Sequence, residues 1–373
     1  MVLKVGAALS LSGRFAVQGE QARRGLLLWA EQANGGVELV VHDDASTRAG
    51  AAAGTDRLIV ADRVDLLFGP YSSVLTIAAA EVSERHGRVL WNHGGSSDAL
   101  DERGFARVVT LLTPASRYFE PVLEMAVDAS AMGGRVARTV ALAYGAAGTF
   151  PRAVAEGARR HASRLGLQIV YHGEYPAPVN ELATLRPDVV LGVGTTEADL
   201  TFAREIRRQR LSASLIALVA APIEHFGAAL GPDADGFCGP SQWEPTLQGQ
   251  PDVGPTSADF AASFRQRFGV EPDYPAAQAY AAGLVAAECV RRAGSLDDSA
   301  LREAAGTLDL TIFYGRFRLD PATGQQAGHQ IVVVQWQTGW KKVVWPPDAS
   351  TAGLQLPVPT AAPTLRSFDD SPS

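Results

Sequence analysis

Apolar and polar positions alternate in blocks along the chain, and the period of the pattern changes from block to block. Val2 to Leu9 is an almost unbroken apolar run, the pattern of a strand covered on both faces. Gly19 to Ala33 follows, with Leu26, Leu27, Trp29 and Ala30 on or near one helical face, and Asn34-Gly35-Gly36 can end that helix through a left-handed C-cap. The same couple then repeats. Val37 to His42 predicts a strand, Arg48 to Ala61 a helix, Val64 to Phe68 a strand, Ser72 to His86 a helix, and Val89 to Trp91 a strand. A second series begins with a helix over Ala115 to Ala129. It continues with strands at Thr139–Ala143, Leu167–Tyr171, Val189–Val193 and Ser214–Val219, and helices at Pro151–Leu165 and Glu197–Gln209. Strand and helix at short alternating intervals specify parallel sheets covered by helices. Two such series, each long enough for its own core, specify two α/β lobes.

The last third has another texture. Ser257–Phe268 and Ala276–Ala293 predict helices, and Asp320-Pro321-Ala322-Thr323-Gly324 a turn. Gln330–Gln337 and Lys342–Trp345 form a hairpin about Gly339. From Pro346 on, Pro, Ala, Thr and Ser dominate, and a poorly ordered tail over 349–373 is expected.

Composition narrows the function. The 373 residues carry a net charge of −7, 46% hydrophobic and 20% charged residues. A disordered chain and a phosphate-tracking surface are both disfavoured, and no nucleic-acid motif is present. Lysine occurs at positions 4, 341 and 342 alone, which genomic composition explains without a functional role. Cys238 and Cys289 have no metal-ligand or redox spacing. No apolar run reaches the ~20 residues that cross a bilayer. The chain opens directly in a strand. An exported protein would have lost a leader ahead of this sequence, and a chain made without one would stay in the cytoplasm.

Catalytic signatures are missing. The sequence has no GxSxG elbow, no GxxxxGK[ST] loop, no HExxH and no GxGxxG after the first strand. The seven histidines are scattered, and structural or surface roles account for them, His93 excepted. Three loops after strands of the first series stand out: Ser10-Leu11-Ser12-Gly13-Arg14-Phe15, Gly69-Pro70-Tyr71-Ser72-Ser73 and Asn92-His93-Gly94-Gly95-Ser96-Ser97. In a parallel sheet such loops meet at the carboxyl edge, where ligands bind. Serine hydroxyls and open N–H groups at a helix start suit a carboxylate or amide. Each loop alone could equally be a tight turn with an N-cap; three on one edge favour a binding site.

These loops, with Val5-Gly6-Ala7-Ala8-Leu9-Ser10-Leu11-Ser12-Gly13, Val41-His42-Asp43-Asp44, Thr113-Pro114-Ala115-Ser116-Arg117-Tyr118, Pro272 to Tyr280 and Val333-Val334-Gln335-Trp336-Gln337, resemble the periplasmic solute-binding proteins of branched-chain amino acid and amide ABC importers, the type I fold. The resemblance spans nearly the whole chain. It implies two Rossmann-like lobes joined by a three-strand hinge, with the ligand in the cleft between the lobes. The lobes would comprise 1–116 plus 247–326 and 117–246 plus 327–348. It also implies a monomer that works with membrane permease subunits, without cofactor, chemistry, nucleic acid or insertion into the bilayer. The protein would be periplasmic or extracellular, secreted or lipid-anchored. A cytoplasmic amide or amino-acid sensor of the same fold is the alternative.

Carried over by position, Ser72, Ser73, Gly94, Gly95 and Ser96 would hold the ligand's carboxylate or amide. Tyr118 would lie near the hinge. Tyr144, Thr149, Thr195 and Ala221 would close from the second lobe, and Tyr274 and Gln278 would add a wall. Phe15 and Tyr71 offer aromatic surface, and His93 a counter-group for a carboxylate. One departure bears on the ligand. Amino-acid-binding members hold the ammonium group with a second-lobe glutamate, and here that stretch reads Val219-Ala220-Ala221-Pro222-Ile223, with Glu224 offset. A buried ammonium needs such a partner, so an amide, a urea-like molecule or an aromatic or aliphatic acid is expected as readily as an amino acid.

Overall fold

A computed structural model of the protein describes residues 2–33, 36–145, 148–175, 178–320 and 322–356. The expected helix stop at Asn34-Gly35, the middle of the 144–149 loop and the tail beyond 356 lie outside the described residues. The chain divides into two compact units. Lobe one comprises 1–121, 146–158 and 241–332, and lobe two 122–145, 159–240 and 333–373.

The first series builds β1 (Leu3–Leu9), α1 (Ala16–Gln32), β2 (Val37–Asp43), α2 (Arg48–Val60), β3 (Leu66–Phe68), α3 (Ser73–Arg85), β4 (Leu90–Asn92), the short α4 (Ala99–Glu102) and β5 (Val108–Thr110). The strands form one sheet in the order β2-β1-β3-β4-β5, parallel throughout. β3 is apolar, β4 is apolar up to Asn92, and both are wholly buried, whereas β2, at the edge, carries Glu38 and His42 and is only partly covered.

The second series gives α5 (Glu120–Val127), β6 (Thr139–Tyr144), α6 (Thr149–Arg164), β7 (Gln168–Glu174), α7 (Val179–Leu185), β8 (Val189–Val193), α8 (Thr196–Gln209), β9 (Leu215–Leu218), α9 (Glu224–Leu230) and β10 (Cys238–Ser241). The remainder is α10 (Ser257–Phe268), α11 (Tyr274–Ala293), α12 (Asp298–Thr307), the hairpin of β11 (Asp309–Ile312) and β12 (Gly315–Arg318), and a second hairpin of β13 (Val332–Gln337) and β14 (Trp340–Trp345). The seven-stranded sheet runs β14-β13-β10-β9-β8-β6-β7.

The helix expected over 115–129 is broken. Ala115–Arg117 make a 3-10 turn, and the α-helix starts only at Glu120, followed by Pro121, a residue that fits the first turn of a helix but not its interior. The helices α7, α9 and α12 and the strands β5, β10 and β11 have no counterpart in the sequence reading; most are short, with too few positions to show a period. The start of the expected loose tail is tied to lobe two. The Gln335 amide accepts from the backbone N of Gln355 at 2.8 Å and donates to its carbonyl at 3.0 Å, and Gln337 donates to the Gly353 carbonyl at 2.8 Å.

The core of lobe one is aromatic. Trp91 and Phe68 are fully buried with Trp29, and Trp243, Phe260, Phe264 and Phe313 pack from the last third of the chain. The Phe260 and Phe313 rings stack with centroids 4.6 Å apart, and the Trp243 and Tyr280 rings stand edge-on to Phe260 at 5.4 and 5.0 Å. Pairs in these geometries add to the burial of large apolar surfaces. Cys238 and Cys289 are both buried free thiols; burial pushes Cys289 up to about 12. No described helix is long and apolar enough to cross a membrane.

Candidate binding site on the loop edges

Because β1, β3 and β4 are neighbours in the sheet, the three loops that follow them lie side by side at the carboxyl edge of lobe one. Most of their polar groups serve to fix one loop on the next. The Ser10 hydroxyl donates to Asp44 Oδ1 at 2.7 Å and reaches the Tyr71 carbonyl at 3.3 Å. Asp43 accepts from the Leu11, Ser12 and Ala45 amides and from the Ser12 hydroxyl, and these bonds hold its carboxyl below the usual range against the opposing effect of burial. Asp44 is fully buried, and desolvation raises it.

The third loop is shaped by Asn92. Its Oδ1 accepts from the Gly94 and Gly95 amides at 3.1 and 2.8 Å, and its Nδ2 donates to the Gly95 carbonyl at 2.6 Å. Both glycines are required by packing. A Cβ on Gly94 would sit 2.4 Å from the Pro70 carbonyl, and one on Gly95 2.6 Å from the Thr76 side chain. Ser73, buried, accepts from the Ser96 and Ser97 amides at 3.1 Å each. Those two amides are therefore occupied, while the Ser73 hydroxyl keeps its proton for a further acceptor.

What the edge leaves open is narrower than the sequence pattern. Ser72 stands at the N-cap of α3 without a side-chain cap bond, half-buried; its carbonyl accepts from Leu75 N and Thr76 N at 3.0 and 2.8 Å, which leaves the Ser73 and Val74 N–H groups at the helix start without a helical partner. The Ser96 hydroxyl accepts from the Tyr118 hydroxyl at 3.2 Å and keeps its own proton. Phe15 meets Tyr71 edge-on at 5.9 Å, and the Tyr71 and Tyr274 hydroxyls bond at 2.9 Å. Burial pushes Tyr71 up to about 12. The structure thus brings Phe15, Tyr71, Ser72, Ser73, Gly94, Gly95, Ser96, Tyr118 and Tyr274 into one connected patch.

Gln278 and His93 are placed deeper. Gln278 is buried and donates to the Tyr314 hydroxyl at 3.2 Å, and its carbonyl oxygen has no partner. His93 is fully buried with neither ring nitrogen hydrogen-bonded. Desolvation drives it down to about 4, so at neutral pH its ring is uncharged and supplies no counter-charge to a carboxylate.

Behind the patch lies a hydrogen-bond network without any sequence signature. The Gln242 amide makes all four of its bonds: Oε1 accepts from Thr113 N at 3.2 Å and the Tyr314 hydroxyl at 2.9 Å, and Nε2 donates to the Thr113 carbonyl at 3.2 Å and Tyr118 Oη at 2.9 Å. His329 stacks on Tyr314 with centroids 4.4 Å apart, contacts Thr113 Oγ1 through Nδ1 at 2.6 Å and the Gln242 carbonyl through Nε2 at 2.9 Å, and burial lowers it to about 4. Residues 113, 242, 314 and 329 meet only through the fold.

Lobe two presents the ends of its own adjacent strands β6, β8 and β9. Tyr144 ends β6, half-buried, its ring 5.0 Å from that of His172. Thr195 is the N-cap of α8 and accepts from Ala198 N at 3.2 Å. Ala221 is fully buried, its carbonyl accepting from Trp336 Nε1 at 2.7 Å. Thr149, exposed at the start of α6, falls in the segment that belongs to lobe one. A fully buried acid that the sequence reading missed, Asp199 in the first turn of α8, braces two of these loop ends. It accepts from Gly194 N at 3.0 Å and Ala220 N at 2.8 Å, and burial raises its carboxyl to about 7. Glu224, the acid nearest the expected ammonium position, pairs with Lys341 at 2.8 Å.

With both edges described, comparison with known proteins identifies the class. The model of the periplasmic binding protein family matches residues 2–341, and the chain belongs to that family, whose members are extracytoplasmic ligand-binding receptors. A curated relative, Leu/Ile/Val-binding protein homolog 7 of Brucella melitensis, is 24% identical over 95% of this chain and 94% of its own length. Among solved structures, the branched-chain amino acid transporter substrate-binding protein of Streptococcus pneumoniae, in complex with isoleucine, superposes with a TM-score of 0.77 at 19% identity, over 91% of this chain and 98% of that one. An ABC transporter solute-binding protein of Rhodopseudomonas palustris, in complex with benzoate, gives 0.74 at 20% identity over 98% of each chain. These likenesses establish the type I solute-binding fold with two lobes.

Proposed function

We propose that this chain is the receptor of an ATP-driven importer and captures a small carboxylate-bearing molecule on the lobe-one loop edge. The observation that carries the proposal is the division of labour on that edge. Ser10, Ser12 and Asn92 are engaged in fixing the loops, while Ser72, the Ser73 and Ser96 protons and the Ser73 and Val74 N–H groups at the start of α3 remain available as donors. Oriented donors at a helix start suit a carboxylate. Isoleucine and benzoate, held by two structural neighbours, share that group and little else.

The second lobe argues for an acid without an ammonium group. Glu224 is paired with Lys341 and Asp199 is committed to two backbone amides, so these two acids are already engaged. Phe15, Tyr71 and Tyr274 supply an aromatic wall that suits a flat or aliphatic body. Amides and urea-like molecules fit the donors less well, since they bring a weaker acceptor.

A thermal-shift screen with benzoate, aliphatic acids, amides, urea and branched-chain amino acids tests the proposal. A ligand at 100 times its Kd stabilises by about 2.7 kcal/mol, and the acids are expected to give the largest shift. Ser96→Ala removes a donor from the patch and is expected to weaken binding by ~1–3 kcal/mol. A response to amides alone, or unchanged acid affinity in Ser96→Ala, would overturn the assignment.

A further inference from the structure

Lobe one has a second hollow, at the opposite edge of its sheet. Its volume is about 510 Å³, and Arg107, Ser299, Arg302, Glu303 and Leu319 are among the residues that line it. Arg107 immediately precedes β5, and Asp298, which opens α12, accepts from Val89 N ahead of β4. The hollow is therefore at the amino ends of these strands, whereas the three loops described above leave from carboxyl ends.

Two guanidinium groups converge there. Ser299 and Arg302 are one turn apart on α12, on the same helix face. Arg107 Nη1 and Nη2 both lie 3.4 Å from Ser299 Oγ, and Arg302 Nε donates to the Ala106 carbonyl at 2.9 Å. Both arginines are thus anchored by a neutral oxygen, next to each other. Elsewhere in this lobe Arg88, Arg103, Arg267 and Arg316 each meet a carboxylate within 2.6–2.8 Å; among the described residues Arg107 and Arg302 form no such pair.

The surroundings keep the two forks open. Gly306 stands in α12, where glycine costs ~1 kcal/mol relative to alanine. A Cβ there would lie 3.4 Å from Arg302 Nη1, and one on Gly324 would lie 3.1 Å from Nη2. Asp320, at the rim, has its Oδ1 taken up by the Ala322 and Thr323 amides and the Thr323 hydroxyl. Glu303 is exposed on the helix, and Leu319 is buried.

We propose that this hollow is a second ligand site, which takes a compact oxyanion, the phosphate or carboxylate group of a small molecule. Arg107 and Arg302 grip it through their planar N–H forks, a geometry matched to such oxygens, and Ser299, an acceptor toward Arg107, donates its own proton. The site is independent of the ligand at the loop edge.

Isothermal titration of the full chain at low salt, with inorganic phosphate and separately with succinate, tests the proposal. Saturable binding of at least one anion is expected, weakened at least tenfold in Arg107→Ala and in Arg302→Ala. Phosphate alone would identify a phosphoryl ligand and succinate alone a carboxylate; either supports the site. As a check that needs no variant, saturating anion should protect Arg302 of the native protein from phenylglyoxal, read by mass spectrometry. No binding of either anion, unaltered affinity in both arginine variants, or an unprotected Arg302 would overturn it.

Discussion

The two lobes hold their carboxyl edges by different chemistry. Behind its loops lobe one has a neutral network, in which Tyr118, Gln242, Tyr314, Thr113 and His329 exchange donors and acceptors, while the first loop itself is held by Asp43 and the buried Asp44. Lobe two relies on one buried acid, Asp199, gripping Gly194 N and Ala220 N. A neutral network that is fully bonded tolerates low dielectric, whereas a lone buried carboxyl resists ionising and is driven up to about 7. The contrast teaches that two similar α/β series can brace their loop ends with different groups, and that a neutral network and a buried acid respond to pH with opposite signs.

The largest effect is expected from Gln242→Leu. It leaves the Thr113 backbone groups and the Tyr118 and Tyr314 hydroxyls without their shared partner. At ~1–3 kcal/mol for each buried group left unsatisfied, a loss of roughly 3 kcal/mol or more is expected, read as a lower urea midpoint. Hydrogen exchange should rise in lobe one and stay unchanged in β6, β8 and β9. Asp199→Ala is the mirror experiment. It strands two backbone amides and should cost about 2–3 kcal/mol, with faster exchange at Gly194 and Ala220 only.

The pH responses follow with opposite signs. Asp199 has a folded value above the unfolded 3.8, so the folded lobe binds more protons between about 4 and 7. Its contribution is present at low pH and is lost as pH rises through that window. His93 and His329 are held neutral at about 4 against an ordinary 6.5. Their contribution is present above 6.5 and lost as pH falls toward 4. Exchange measured at pH 4.5 and 7.5 should therefore show the surroundings of His93 and His329 loosening in acid and the loop ends held by Asp199 loosening toward neutrality, with Asp199→Asn flattening the second trend. The same direction at both places would break the comparison. The smallest effect is expected for Lys341→Met. It removes the partly exposed pair with Glu224 and should shift stability by under ~1 kcal/mol, read as a small change in the urea midpoint.

The alternation of strands and helices was legible because period 2, period 3.6 and continuous apolar runs leave different marks on a chain. Thus β1, β8 and α11 stand close to where their patterns put them, and the three loops after β1, β3 and β4 could be chosen from their small and hydroxyl residues. Which hydroxyls remain open could not. Ser72 and Ser73 are adjacent in sequence, yet Ser73 is bound to the Ser96 and Ser97 amides, 23 and 24 positions away, and Ser72 has no cap bond.

By itself, the sequence determined the two α/β series and the loop edges, properties of local period and short motif, and through its resemblance to a family the class of receptor. The tertiary structure alone decided the Gln242–Tyr314–His329 network, the burial of Asp199 and the meeting of Arg107 with Arg302. The physical reason is common to all three. A hydrogen bond or a desolvated charge depends on the distance between groups far apart in the chain, and distance is set only when the sheets have formed and the helices have closed over them.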